Sequence, residues 1–247
     1  MPNELRPYQR AIRAAVMDSV HGRKGLTFTV EIARQGGKNE LSAWIEAGLL
    51  AGNTSGAQNL VKCSPTFAPQ AIISMTRLKH RLDAAGFAGR WSSEHGYIIR
   101  LGYARAIFLS AEDSPRVVGH TAHLLLEIDE SQDVSKDKYS KEFKPMAATT
   151  NATTVLYGTA WDDSTLLEET KQTNLDLGRK DGAGKCGVAH RLHRSLEISV
   201  GFQSPGGGQL RPPQDVRPTN TPHLNNRIVR VCTSHSLSCR WRFWRCW

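Results

Sequence analysis

The 247-residue sequence has no apolar run approaching the roughly 20 residues that cross a bilayer. Its opening residues, MPNELRPYQR, lack the apolar core of a secretory signal. A membrane span and an export route are set aside, and the expected setting is a cytoplasm. Cysteine is scarce where the chain is most regular. Cys63 stands alone before residue 181, and the other four, at 186, 232, 239 and 246, match no zinc-ligand spacing. Neither a disulfide framework nor a structural zinc site follows. Acids are nearly missing from the end. Beyond residue 181 only Glu197 and Asp215 face ten Lys or Arg, a balance of +8, whereas residues 1–181 hold 22 basic and 21 acidic residues. The overall charge of +9 therefore belongs to the tail. It argues nothing about nucleic-acid binding by the first 181 residues, and only weakly about the tail.

What is present centres on Leu26 to Glu40, LTFTVEIARQGGKNE. Phe28, Val30 and Ile32 alternate with Thr27, Thr29 and Glu31, which predicts a strand. The stretch then breaks at Gly36-Gly37 and resumes as a helix from Lys38 to Leu50. Strand, glycine turn, lysine and helix form the layout of a phosphate-binding loop. Backbone N–H groups of Arg34, Gln35, Gly36, Gly37, Lys38, Asn39 and Glu40 are candidates to face a polyphosphate, and Lys38 supplies a mobile positive charge. The strict pattern GxxxxGK[ST] is not met, since Ile32 replaces the first Gly and Asn39 replaces Ser or Thr. The Asn39 amide oxygen still suits a hard cation such as magnesium. An ordinary strand-turn-helix with a surface lysine gives the same pattern.

Ahead of this stretch, LRPYQ leads into a helix of about a dozen residues from Gln9 to Val20. Gln9 can pair with a purine edge and Tyr8 can pack on its face; a plain N-terminal helix is the alternative. Beyond it, Gln58 to Ser64 reads as a buried strand and Ala71 to Ala85 as a helix with Ile72, Met75, Leu78 and Leu82 inward. Its basic residues, Arg77, Lys79, His80 and Arg81, read as a solvated face, with a phosphate-binding cluster as the alternative. YIIRL and AIFLS around Gly102 predict a hairpin. Arg116 lies in the polar loop that follows.

The run Leu124–Ile128 is short and mostly apolar, as suits a buried strand of a parallel sheet, and it ends in Asp129-Glu130. Two acids at such a strand end are costly without a metal or polar partner. In nucleotide hydrolysis Asp129 would hold magnesium and Glu130 would orient or deprotonate the attacking water. The alternative is an acidic cap on the next helix. Glu127, inside the strand, has no partner that the sequence identifies. Lys136 to Lys144 reads as solvated. Thr149 to Ala160 predicts another strand, ending in Gly158-Thr159-Ala160, and Asp163 or Ser164 is expected to cap the helix after it.

Taken in order across residues 5–177, these pieces resemble the ATPase half of the phage terminase large subunit, the motor that packs DNA into phage heads. LRPYQ resembles that family's adenine-binding segment, ARQGGKNE its variant phosphate loop, LLLEIDESQD its aliphatic strand ending in Asp-Glu, and LYGTA its coupling motif. The resemblance implies a P-loop NTPase-like α/β fold: a mainly parallel sheet flanked by helices, with nucleotide at the C-terminal strand ends. It implies ATP and Mg2+ as cofactors, with Lys38 on the β and γ phosphates, Asp129 on the metal and Glu130 as the catalytic carboxylate. Arg34 would sense or stabilise charge, Arg116 would be a second candidate finger, and Thr159 would sense the γ-phosphate. The implied partners are double-stranded DNA, the portal protein, the small terminase subunit and further copies in a homo-oligomeric ring, in the host cytoplasm. A helicase-like translocase fragment, or an inactive nucleotide-binding remnant, are the rival readings.

Terminases of this kind carry a nuclease domain with an acidic metal site. Glu197 and Asp215 cannot readily make a two-metal centre, which needs several carboxylates about ions ~4 Å apart. Nuclease activity is therefore not expected. Residues 1–181 are expected to form the ATPase domain and 182–247 an irregular basic tail. That tail places three of the six Trp in its last seven residues, WRFWRCW. Such a composition suits neither a packed domain nor a usual linker. A frameshift or misjoined frame beginning near Gly182 explains it; a genuine Arg-rich, aromatic DNA-binding tail is the alternative.

Overall fold

The computed structural model describes residues 4–112, 119–182, 200–201 and 228–232, and side chains only as far as residue 176. Arg116 and most of the tail lie outside the described residues. The chain begins with α1 (Pro7–His21), whose proline occupies the first turn, where a missing N–H costs nothing. Then follow β1 (Thr27–Ile32), α2 (Lys38–Gly52), β2 (Asn59–Ser64) and α3 (Ile72–Leu82). A meander, β3 (Trp91–Glu94), β4 (Ile98–Leu101) and β5 (Ala104–Ser110), leads to β6 (Leu125–Ile128). Short helical turns between Lys136 and Ala148 precede β7 (Thr153–Gly158) and α4 (Leu166–Gly182). In the tail, β8 (Val200–Gly201) and β9 (Ile228–Cys232) are extended.

The sheet order is β3-β4-β5-β2-β6-β7-β1-β9-β8. The five central strands, β5, β2, β6, β7 and β1, run parallel. Antiparallel pairs close both edges: β3 and β4 at one, β9 and β8 at the other. This is the expected α/β architecture, a mainly parallel sheet with helices on both faces. The β9 pairing on β1 is not announced by the residue pattern of the tail.

Each face of the sheet carries its own core. One packs Ile12, Val16, Leu41, Ile45, Leu49 and Leu78, from α1, α2 and α3, onto the strands. The other packs Tyr139, Phe143, Met146, Leu166 and Leu167 onto the opposite face. Because both faces are covered, β1 is buried along its whole length. The polar half of its alternation is inside as well. Thr29 is 1% exposed, and Glu31 reaches Lys171 of α4 at 3.4 Å.

Several local expectations are corrected. Ile72 faces outward, 44% exposed, because α3 proper starts there after an irregular turn. The basic residues of α3 are not a uniform solvated face: Arg81 is buried over the Trp44 ring, at 4.1 Å, and Lys79 sits over Trp91. Lys138 is likewise buried, against the carbonyl of Glu112. The start of α4 is capped by Thr165, whose hydroxyl accepts from the Glu168 N–H, not by Asp163 or Ser164. The hairpin about Gly102 forms as expected, with φ +63° at that glycine, and gains β3 as a third strand.

Candidate functional site

The loop between β1 and α2 is shaped by two left-handed residues, Gln35 at φ +59° and Gly37 at φ +90°. Gly37 is also the N-cap of α2, so the chain turns directly from the strand tip into the helix. That places the free N–H groups of the first helical turn, and the positive end of the helix dipole, at the strand end. The loop is held from behind by α1. Tyr8 donates its hydroxyl to the Gly36 carbonyl, and the Gln9 amide donates to the Gly37 carbonyl at 2.9 Å. The Gln9 oxygen accepts the Arg6 N–H at 2.9 Å, capping its own helix. Tyr8 and Gln9, expected to clamp a purine, are each 3% exposed and stand behind the loop, spent on backbone partners. This structure gives them a supporting position rather than a place in the cavity wall.

The second half of the site comes from the ends of β6 and β7. Asp129 donates its N–H to the Cys63 carbonyl, and Glu130 takes a left-handed φ of +42°, turning its carboxylate sideways across the strand ends. Lys38 Nζ lies 2.7 Å from Glu130 Oε2 and 3.0 Å from Thr159 Oγ1. Gln132 closes the ring. Its amide donates to Glu130 Oε2 at 2.8 Å, and its oxygen accepts the Thr159 N–H at 3.2 Å. A helix residue and two strand ends, 92 positions apart for Lys38 and Glu130, thus share one hydrogen-bonded circuit. Gln132 was not singled out from the sequence, although it sits in the same acidic motif.

This circuit borders a cavity of about 680 Å³. Arg34, Gln35, Gly36, Gly37, Lys38, Asn39 and Glu40 line one side, and Glu130 and Thr159 line the other. Arg77, from α3, also reaches it. Asp129 does not line it. Its side chain is 4% exposed, one oxygen accepting the Glu130 N–H at 3.1 Å. Burial pushes the Asp129 carboxyl above its ordinary range, and Lys62 pulls it partly back. For magnesium the donor chemistry fits a nucleotide-borne ion. Asp129 and Asn39 offer hard oxygens, while the described residues contain no group of three or more His, Cys, Asp or Glu that forms a cage. Mg2+ bound through one or two carboxylates together with substrate phosphates matches such a sparse set.

Glu127, unexplained from sequence, belongs to a wholly buried polar cluster behind the site. The Tyr157 hydroxyl donates to Glu127 Oε1 at 2.8 Å. Lys62 on β2 donates to Ser42 Oγ at 2.7 Å and pairs with Glu46 Oε1 at 3.1 Å. Ser42 lies 3.0 Å from Glu127 Oε2. The cluster ties α2 to β2, β6 and β7, the last two being the strands whose ends hold the acids and Thr159. Burial, and then the neighbouring Glu46, push the Glu127 carboxyl well up. Burial alone would lower the Lys62 ammonium, but Glu46, Asp129 and Glu127 outweigh it and raise it. The signal in the sequence was a lone Lys inside an apolar strand, since a lysine buried there must meet an acid.

No protein-family model and no curated protein matches the sequence. Solved structures do resemble it. The large terminase of bacteriophage HK97 aligns with a TM-score of 0.59 at 19% identity, over 71% of this chain and 38% of that one. The chain shares the fold of phage large terminases. A second example, the large terminase of a thermophilic bacteriophage, aligns with a TM-score of 0.52 at 13% identity, over 66% of this chain and 42% of that one. The match thus covers about two fifths of the length of these terminases. At such identities the likeness is one of fold, and chemistry has to be argued from the site.

Proposed function

We propose that this chain is the ATPase part of a phage large terminase, which binds ATP with Mg2+, hydrolyses it, and drives double-stranded DNA into a capsid. The observation that carries this reading is the Lys38–Glu130–Thr159 circuit at the mouth of a glycine loop. Phosphoryl transfer needs charge neutralisation and an aligned water, not covalent chemistry by the protein. Here Lys38 leaves Glu130 for the β and γ phosphates, and Glu130 is freed to orient the attacking water. Thr159, through Gln132, reports that exchange to β7. Arg34, at the cavity mouth, adds positive charge. Asn39, on the cavity wall, and Asp129, just behind it, would hold magnesium, which would supply charge neutralisation on the phosphates. Among the described residues no helix is long and apolar enough to cross a membrane. Portal protein, small terminase subunit, a homo-oligomeric ring and the host cytoplasm belong to the same reading, as do an ATPase domain at 1–181 and a basic tail without nuclease chemistry.

The deciding experiment is ATP turnover by the purified chain with Mg2+, with and without double-stranded DNA. Lys38→Ala and Glu130→Gln are expected to abolish turnover. Full activity in folded Glu130→Gln refutes the assignment. DNA stimulation separates a motor from an inactive remnant, and unwinding of a forked duplex would favour the helicase-like alternative.

A further inference from the structure

Arg77 belongs to a basic cluster of α3 whose residues, by sequence, suit a solvated face first and a phosphate binder second, and no phosphate-loop or acidic motif includes it. The structure puts it on the cavity wall alongside Lys38 and Glu130. Its placement is enforced by two contacts with the same spacing on both helices. On α3, Arg77 and Arg81 are one helical turn apart; on α2, so are Glu40 and Trp44. Arg77 Nη1 lies 3.6 Å from Glu40 Oε2, and Arg81 stacks over the Trp44 ring at 4.1 Å. Trp44 Nε1 in turn donates to Glu40 Oε1 at 3.1 Å, so both carboxylate oxygens of Glu40 are engaged. Arg81 is buried and fixes the helix, whereas the Arg77 side chain is 37% exposed and lines the cavity.

Two features separate Arg77 from a surface arginine paired for stability. The Arg77–Glu40 separation is long for a hydrogen-bonded ion pair, so the guanidinium is only loosely held. Its Nε is buried with no hydrogen-bond partner, so the contact with Glu40 leaves the guanidinium's donors incompletely used. A planar guanidinium with spare donors fits phosphate oxygens, which it can grip in pairs.

We propose that Arg77 is a polyphosphate-binding residue of this site, contributing in cis a second clamp on the nucleotide's phosphate chain in addition to Lys38. Glu40 holds it in place between turnovers. This rests on the nucleotide-binding reading above. It also assigns Glu40 a positioning role: its carboxylate aims Arg77 and contacts no phosphate itself.

The test is calorimetric binding of a non-hydrolysable ATP analogue and of inorganic tripolyphosphate, each with Mg2+, to the full chain and to Arg77→Ala, Arg77→Gln and Arg77→Lys. A charge-assisted hydrogen bond is typically worth about tenfold to a hundredfold in affinity. Arg77→Ala and Arg77→Gln are expected to weaken both probes by the same factor in that range, and Arg77→Lys to recover part of it. Far-ultraviolet dichroism and the thermal midpoint confirm that the variants fold, with Arg81 and Trp44 still seating α3. Unchanged affinity in folded Arg77→Gln overturns the proposal, and so does a loss seen with the nucleotide but not with tripolyphosphate. If the wild-type chain binds neither probe, the nucleotide-binding reading itself fails, which is a different result.

Discussion

Lys62→Met is the sharpest probe of how the site is supported. The substitution keeps an unbranched side chain one atom shorter and removes its charge. Lys62 is 1% exposed, Glu46 and Glu127 are both 0% exposed, and Lys62 Nζ is 3.1 Å from Glu46 Oε1 and 2.7 Å from Ser42 Oγ. Removing one partner of a buried pair costs about 3–5 kcal/mol, because the other charge stays buried and unpaired. Against a domain stability of about 5–15 kcal/mol, that is about a fifth of the total or more. Urea unfolding followed by circular dichroism should show the loss directly. The double variant Lys62→Met/Glu46→Leu should recover most of it, since replacing a buried pair by apolar residues of similar volume is often close to neutral. An unfolding free energy for Lys62→Met within about 1 kcal/mol of wild type, or a double variant no better than the single, would refute the view that this pair organises the core behind the site.

Two further outcomes are expected. Burial raises the Tyr139 phenol from 10.0 to about 12, so the fold favours its neutral form. Its contribution is fully present below pH 10 and is lost as pH rises through about 12. Tyr139→Phe should therefore narrow its stability gap to wild type by up to about 3 kcal/mol across that window; equal pH profiles from paired urea titrations would contradict this. At Gly37, φ is +90° and an added Cβ would lie 2.6 Å from Gln9 Nε2. Gly37→Ala should cost about 1–2 kcal/mol for the left-handed backbone and displace Gln9, raising the KM for ATP; wild-type stability and KM together would argue against a loop pinned by α1.

Much of the fold is legible along the chain because its strongest signals are local. Alternating β-branched residues mark β1, a glycine pair marks the turn, and an apolar run ending in acids marks β6. The same local logic fails wherever burial comes from elements distant in sequence. The alternation in β1 marks a strand but cannot show that Glu31 will meet Lys171 of α4 on the second side of the sheet. Arg81 and Lys138 look solvated because their partners, Trp44 and the Glu112 carbonyl, lie far along the chain. Tyr8 and Gln9 read as ligand-facing by residue type, yet α1 packs so that their polar atoms are spent on the loop carbonyls.

The residues by themselves decided the chemistry on offer: a lysine after two glycines, two acids at a strand end, a threonine at another. Backbone geometry is local, and it sets such turns and termini without help from afar. Only the tertiary structure decided which of these meet. Parallel pairing brings the ends of β6 and β7 beside the loop after β1, so Lys38, Glu130, Gln132 and Thr159 close one circuit. Packing of α3 on α2 then adds Arg77 to the wall, and a buried Lys62–Glu46 pair joins the layers beneath. The physical reason is that long-range contacts are selected by the burial of whole faces, a property of the assembled sheet and helices and not of any one segment.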